Sequence, residues 1–193
     1  SIFSTAAIVL SPLGETLVAA HQIAISVTSQ LFMIPMSLAI ALTIRIGTYY
    51  GEKNWLAMRK VQFLGLLTGT ILAIATMALI WFFRPEIVSI YTSDYDVAQV
   101  AMYLLLFAIA YQLMDAWQVS AAGCLRGMQD TKGPMWITMI AYWVIAFPVG
   151  LYLARFTEMK AAGVWVGLIV GLTVACVLLL TRLFMINNRI KTA

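Results

Sequence analysis

Charge is scarce in this chain. Asp, Glu, Lys and Arg together make up 10% of its 193 residues, against 63% hydrophobic residues. Soluble domains carry about a quarter charged residues and about half apolar ones. A water-facing surface cannot be assembled from this composition, so the solvent is expected to be lipid. Histidine occurs once, and cysteine twice, as Cys124 and Cys176, each among apolar neighbours with no CxxC or Cys/His grouping. A zinc or iron–sulfur motif is thereby excluded, and the thiols read as inert buried groups. A nucleophile–base pair and a phosphate-cradling glycine loop are also missing, so nothing supports an enzyme or a cofactor. Nor is there an opening Met, a basic n-region or a cleavage site. Ser1–Leu10 reads as the end of a truncated membrane helix, and the chain as a fragment.

What is there instead is hydrocarbon, with a mean hydropathy of +0.94. A spanning helix needs about 20 apolar residues. Beyond the partial helix at 1–10, five stretches are long enough: Leu17–Ile44, Val61–Phe83, Val97–Ala122, Pro134–Ala154 and Ala161–Thr181. The joints between them carry turn residues, as in "GEKN", "TSDYD" and "QDTKGP". The expected fold is therefore all-α, a polytopic transmembrane bundle filling residues 1–193, with 182–193 as a tail. Pro35 and Pro148 fall inside spans and predict kinks. Gly163, Gly167 and Gly171 form a GxxxGxxxG series that predicts close packing within the bundle.

Lys and Arg alternate between the joints. Counting alternate joints puts nine on one side of the membrane and three on the other. By the positive-inside rule the richer side is cytoplasmic. The loop 45–60 and the C-terminus then lie inside, and Asp94 and Asp96 outside. The net charge of +4 belongs to this asymmetry and does not point to nucleic acid.

Of eight acidic residues, seven sit at joints and Asp115 alone lies within a span. A charge at mid-membrane costs about 2.5–3.5 kcal/mol on insertion scales, and such residues mark ion or substrate paths. Tyr111, Gln112 and Gln118 stand three or four positions from Asp115 and share a polar stripe with it. Arg126 is eleven positions on, about 16 Å along a helix. An unpaired carboxylate in this setting must hold a cation or a proton. The bland alternative is a protonated Asp in a structural helix–helix hydrogen bond. His21 and Gln22 read either as an interfacial polar pair or as part of a cavity wall.

Two long stretches, "SPLGETLVAAHQIAISVTSQLFMIPMSLAIALTIRIGTYYGE" and "YQLMDAWQVSAAGCLRGMQDTKGP…YWVIAFPVGLYLA", resemble the MATE family of multidrug and toxin extrusion transporters, in its bacterial NorM-like branch. The resemblance runs the whole chain. It implies the second six-helix lobe of a twelve-helix transporter, its first helix truncated. It also implies export of cationic amphipathic drugs across the bacterial inner membrane against Na+ or H+. The partners implied are lipid, the drug substrates and a missing N-terminal lobe. Carried over by residue, Asp115 matches the family's cation or proton site, with Tyr111 beside it. Gln22 and Asp94 match positions lining or flanking the drug cavity, which Gln118 would join. A family Glu expected on the first helix is absent from Ser1–Leu10. Two other readings are a lipid-linked precursor flippase of the same superfamily, whose cavity would need basic residues, and a non-transporting scaffold, in which Asp115 would have no task.

Overall fold

A computed structural model describes residues 15–157 and 161–191. Every element among them is helical: α1 (Glu15–Gly51), α2 (Trp55–Ser89), α3 (Tyr95–Gly127), α4 (Lys132–Ile140), a π-helical segment (Ala141–Ala146), α5 (Phe147–Phe156) and α6 (Ala161–Lys191). Taking α4, the π segment and α5 as one crossing, five helices are long and apolar enough to span a membrane. The five expected spans correspond to these five crossings. The partial helix Ser1–Leu10 lies outside the described residues.

The helices overrun the apolar windows, at both ends except in α6, which begins at the expected Ala161. Arg45, Arg59, Lys60 and Arg84 were expected in joints and sit on helices. The segment 182–191, expected as a tail, continues α6, with Leu183 buried. A hydropathy window sees only the hydrocarbon crossing, whereas helix ends are set by capping. Asn54 caps α2 by accepting from the Ala57 N–H, and Asp94 caps α3 by accepting from Asp96 and Val97. The turns after α1 and α3 both place a non-glycine residue in the left-handed region, Lys53 at φ 55° and Gln129 at φ 64°. In each, the next N–H reaches back five residues, Asn54 to the Tyr49 carbonyl and Asp130 to that of Leu125. That is the hydrogen-bond pattern of a Schellman stop.

Proline shapes two crossings. In α2 the break falls at Phe83, whose φ of −110° and ψ of 19° leave the helix two residues before Pro85. Pro85 has no N–H for the Trp81 carbonyl and its ring crowds that oxygen. Pro148 sits in the first turn of α5, directly after the π segment. Its missing N–H leaves the Val144 carbonyl unpaired in α geometry, and the wider π turn is where the chain absorbs this. Pro35 is buried inside an otherwise continuous α1.

Helix α3 is central and packs on α1, α2 and α6. Small residues let the backbones approach. A Cβ on Gly123 would stand 2.6 Å from the Ala39 carbonyl, so α1 and α3 touch main chain to main chain there. The GxxxGxxxG series packs inside the bundle as expected. A Cβ at Gly167 would stand 2.5 Å from the Gly150 nitrogen, and one at Gly171 2.8 Å from the Ala141 carbonyl. The face of α6 thus lies against the π segment and α5.

The apolar core is in two halves. One gathers Val27, Leu104, Leu105, Ala108, Trp165 and Leu168, and the other Leu42, Ile46, Met58, Leu125, Leu179 and Leu183. Between them α3 buries Gln112, Asp115 and Gln118. The polar stripe is therefore a level in the bundle where the hydrocarbon core is interrupted.

Candidate functional site

At that level a cavity of about 600 Å³ opens among α1, α3, α4, the π segment and α6. Thr28 and Ser29 of α1 line it, together with Tyr111, Asp115 and Gln118 of α3 and Tyr142 of the π segment. Phe32, Met36, Leu168 and Leu172 supply apolar walls. A mostly apolar pocket with a few convergent polar groups is the usual form of a small-ligand site.

Asp115 is 7% exposed, and no hydrogen bond or ion pair holds its carboxylate among the described residues. A buried charge without a partner is costly. Gln118 accepts from the Tyr142 hydroxyl at 3.2 Å, which fixes the side of the cavity facing the π segment. Tyr111 stacks on Trp165 with ring centroids 6.0 Å apart and planes 27° apart. Trp165 in turn donates its indole N–H to His21 Nδ1 at 3.2 Å.

Tyr111, Asp115 and Gln118 share one cavity, as the stripe implied. Gln112 does not line it: its amide donates to the Thr76 hydroxyl of α2 at 2.9 Å. Gln22 is exposed on α1, outside the cavity lining, and Asp94 is exposed at the start of α3, where its carboxylate caps the helix. His21 is fully buried, so the interfacial reading of the His21–Gln22 pair applies to neither its exposure nor its partner.

Sequence reasoning missed Tyr142, Thr28 and Arg126 as lining residues. Arg126 sits at the far end of the cavity, exposed and without a hydrogen-bond partner among the described residues. Its signal was present: eleven residues are close to three full helical turns, so Arg126 falls on the face of α3 that carries Asp115, about 16 Å away. No group of three or more His, Cys, Asp or Glu that could hold a metal ion occurs among the described residues.

A family model described as MatE matches residues 1–152. A probable multidrug resistance protein NorM of Acinetobacter baylyi is 75% identical over 190 residues, which is 98% of this chain and 42% of that protein. Multidrug resistance protein MdtK of Proteus mirabilis is 40% identical over 193 residues, again 98% of this chain and 42% of that protein. Among solved structures, an outward-facing multidrug resistance MATE family transporter of the MOP superfamily matches with a TM-score of 0.90 at 18% identity, over 100% of this chain and 43% of that one. The eukaryotic MATE transporter AtDTX14 matches with a TM-score of 0.87 at 22% identity, over 92% of this chain and 40% of that one. The chain spans about two-fifths of the length of the curated relatives it matches. The five-crossing helical bundle and the match over residues 1–152 agree, and the chain belongs to the MatE family.

Proposed function

We propose that the protein to which this chain belongs is a multidrug exporter that expels cationic amphipathic compounds in exchange for Na+ or H+, with Asp115 as the coupling site. One observation carries the reading: a buried carboxylate, unpaired among the described residues, opens into a cavity at mid-bundle. A cation or a proton satisfies it, and so does a cationic substrate. Exchange follows if both compete for the one charge. Tyr111 and Gln118 line the same wall and supply oxygen atoms for an ion.

The exposed side of α1 supports the missing lobe as partner. Gln22, Ser29, Gln30 and Ser37 are all exposed on one face of the helix, interleaved with the exposed apolar Met33, Ile40 and Ile44, and Ser29 also lines the Asp115 cavity. Gln30 donates to the Tyr91 hydroxyl and Ser37 to the Met33 carbonyl, which leaves Gln22 as the exposed amide on this face that lipid would not satisfy and a wet cleft against the rest of the protein would. On this reading Gln22 meets substrate in the cleft, outside the cavity that Asp115 lines. The bacterial inner membrane and a cytoplasmic C-terminus complete the proposal, on the strength of the Lys and Arg asymmetry.

Arg126 favours a second reading. A guanidinium in the cavity lining could meet the phosphate of a lipid-linked precursor, as a flippase requires. Full-length protein in sealed vesicles decides between them. Export of a cationic dye driven by an imposed sodium gradient, or by an imposed pH gradient, supports the exporter. Movement of a labelled phospholipid-linked sugar without dye export supports the flippase.

A further inference from the structure

His21 is the chain's only histidine, and the coupling reading makes no use of it. It is fully buried in α1, and across the bundle it meets Trp165 of α6, also fully buried. The Trp165 indole N–H donates to His21 Nδ1 at 3.2 Å, with ring centroids 6.0 Å apart and planes at 80°. The indole is also stacked on Tyr111 of α3, at 6.0 Å and 27°. Three helices are thus pinned at one level by three rings in series, and the last ring lies on the cavity face one turn from Asp115.

We propose that His21 is a positioning residue for the cation site: its Nδ1 fixes the Trp165 indole, and the indole fixes the Tyr111 ring beside Asp115. This rests on the reading of Asp115 as the coupling site. A neutral imidazole that accepts at Nδ1 carries its hydrogen on Nε2. Nε2 has no hydrogen-bond partner among the described residues. A buried donor left unmade is expensive, so leucine would serve better if the position only needed filling. What histidine supplies and leucine does not is the acceptor. A buried indole N–H needs one, and His21 Nδ1 is the acceptor that the Trp165 N–H meets. Without Nδ1 the buried indole N–H is left unpaired and the indole loses the contact that sets its ring plane; Tyr111 keeps its hydroxyl contact with Thr28 but loses a fixed stacking partner. An ion site depends on ligand oxygens being held in place, so the cost falls on ion affinity and not on the rate of the conformational cycle.

The test uses the full-length protein with three changes. His21→Leu removes the acceptor. Trp165→Phe keeps an aromatic face and removes the donor. His21→Asn puts Oδ1 where Nδ1 was. The half-saturating concentration of the coupling ion should rise about fivefold in His21→Leu and Trp165→Phe, the equivalent of one lost buried hydrogen bond. The maximal rate per inserted protein should hold, and His21→Asn should restore the affinity. A role confined to stability would lower the amount of protein and leave the half-saturation point alone. In parallel, 3-fluorotyrosine at position 111 reports the ring directly by fluorine NMR. Its resonance should move or broaden in His21→Leu and Trp165→Phe and return in His21→Asn. An unmoved resonance, or an unchanged half-saturation point in both variants, overturns the proposal. If His21→Leu does not fold, Trp165→Phe carries the test. Normal coupling in Asp115→Asn would remove the underlying reading instead, and the fluorine signal would still show whether His21 sets Tyr111.

Discussion

Arg182 closes on Asp130 with two nitrogens, Nε to Oδ2 at 2.5 Å and Nη2 to Oδ1 at 3.0 Å. The pair ties the turn between α3 and α4 to the last turns of α6. The hydrogen bond from Arg182 holds the Asp130 carboxyl below the usual carboxylate range; burial opposes this and the Gly133 N–H adds to it. A carboxyl depressed in the folded state stabilises above its unfolded value of about 3.9, and that contribution fades as pH falls through the folded value. Arg182 is 44% exposed, so solvent screening limits the pair to under about 1 kcal/mol. Arg182→Met should lose a correspondingly small part of its melting temperature in detergent at neutral pH and converge with the wild type in acid. A gap that stays constant down to acid pH would assign the loss to packing.

Gly167 and Gly150 set the approach of α6 to α5. A Cβ at Gly167 would also stand 2.7 Å from the Ala146 carbonyl, and main chain cannot swing aside as a side-chain tip can. Gly167→Leu should destabilise the bundle by about 1–3 kcal/mol or more, the range for overpacking. Gly51→Ala is the control, because a Cβ there meets nothing within 4 Å. Thermal melts of both variants in the same detergent check the contrast.

The five crossings were legible because each is a long hydrocarbon run, and their order followed from the turns between them. The polar stripe was legible in part. Spacing of three or four places Tyr111, Asp115 and Gln118 on one wall, but a helical face about 100° wide can meet two neighbours. Gln112 is one residue from Tyr111 and turns to Thr76 instead. Tyr142 reaches Gln118 from a π-helical turn that no periodicity announces. His21 and Trp165 are 144 residues apart, and nothing local in either names the other.

Orientation is a separate question, carried by the Lys and Arg asymmetry alone. In a background freed of the parent's other accessible cysteines, Ser93→Cys should react with an impermeant thiol reagent in intact cells. Glu52→Cys should react only after the membrane is opened. Both positions are exposed, neither side chain makes a capping hydrogen bond among the described residues, and neither takes a left-handed backbone. The native Cys124 and Cys176 are buried and should add little background. The opposite labelling pattern would invert the topology and place the C-terminus outside.

Asp115→Asn addresses the centre of the site. The amide keeps the volume and much of the hydrogen-bonding capacity but cannot bind a cation by charge or release a proton. If Asp115 only joins helices, the amide removes the cost of burying a carboxylate and the protein should insert, fold and export as before. If Asp115 couples transport, the site must prefer its ion in one conformation over the other, and an amide has no charge with which to express that preference. The variant should then insert in normal amounts and lose gradient-driven export of a cationic dye from reconstituted vesicles. Asp115→Glu keeps the charge and moves it by about one methylene within the cavity of about 600 Å³, so it should retain partial activity. Normal export rates in Asp115→Asn would remove Asp115 from the mechanism and leave its burial as a structural feature of α3.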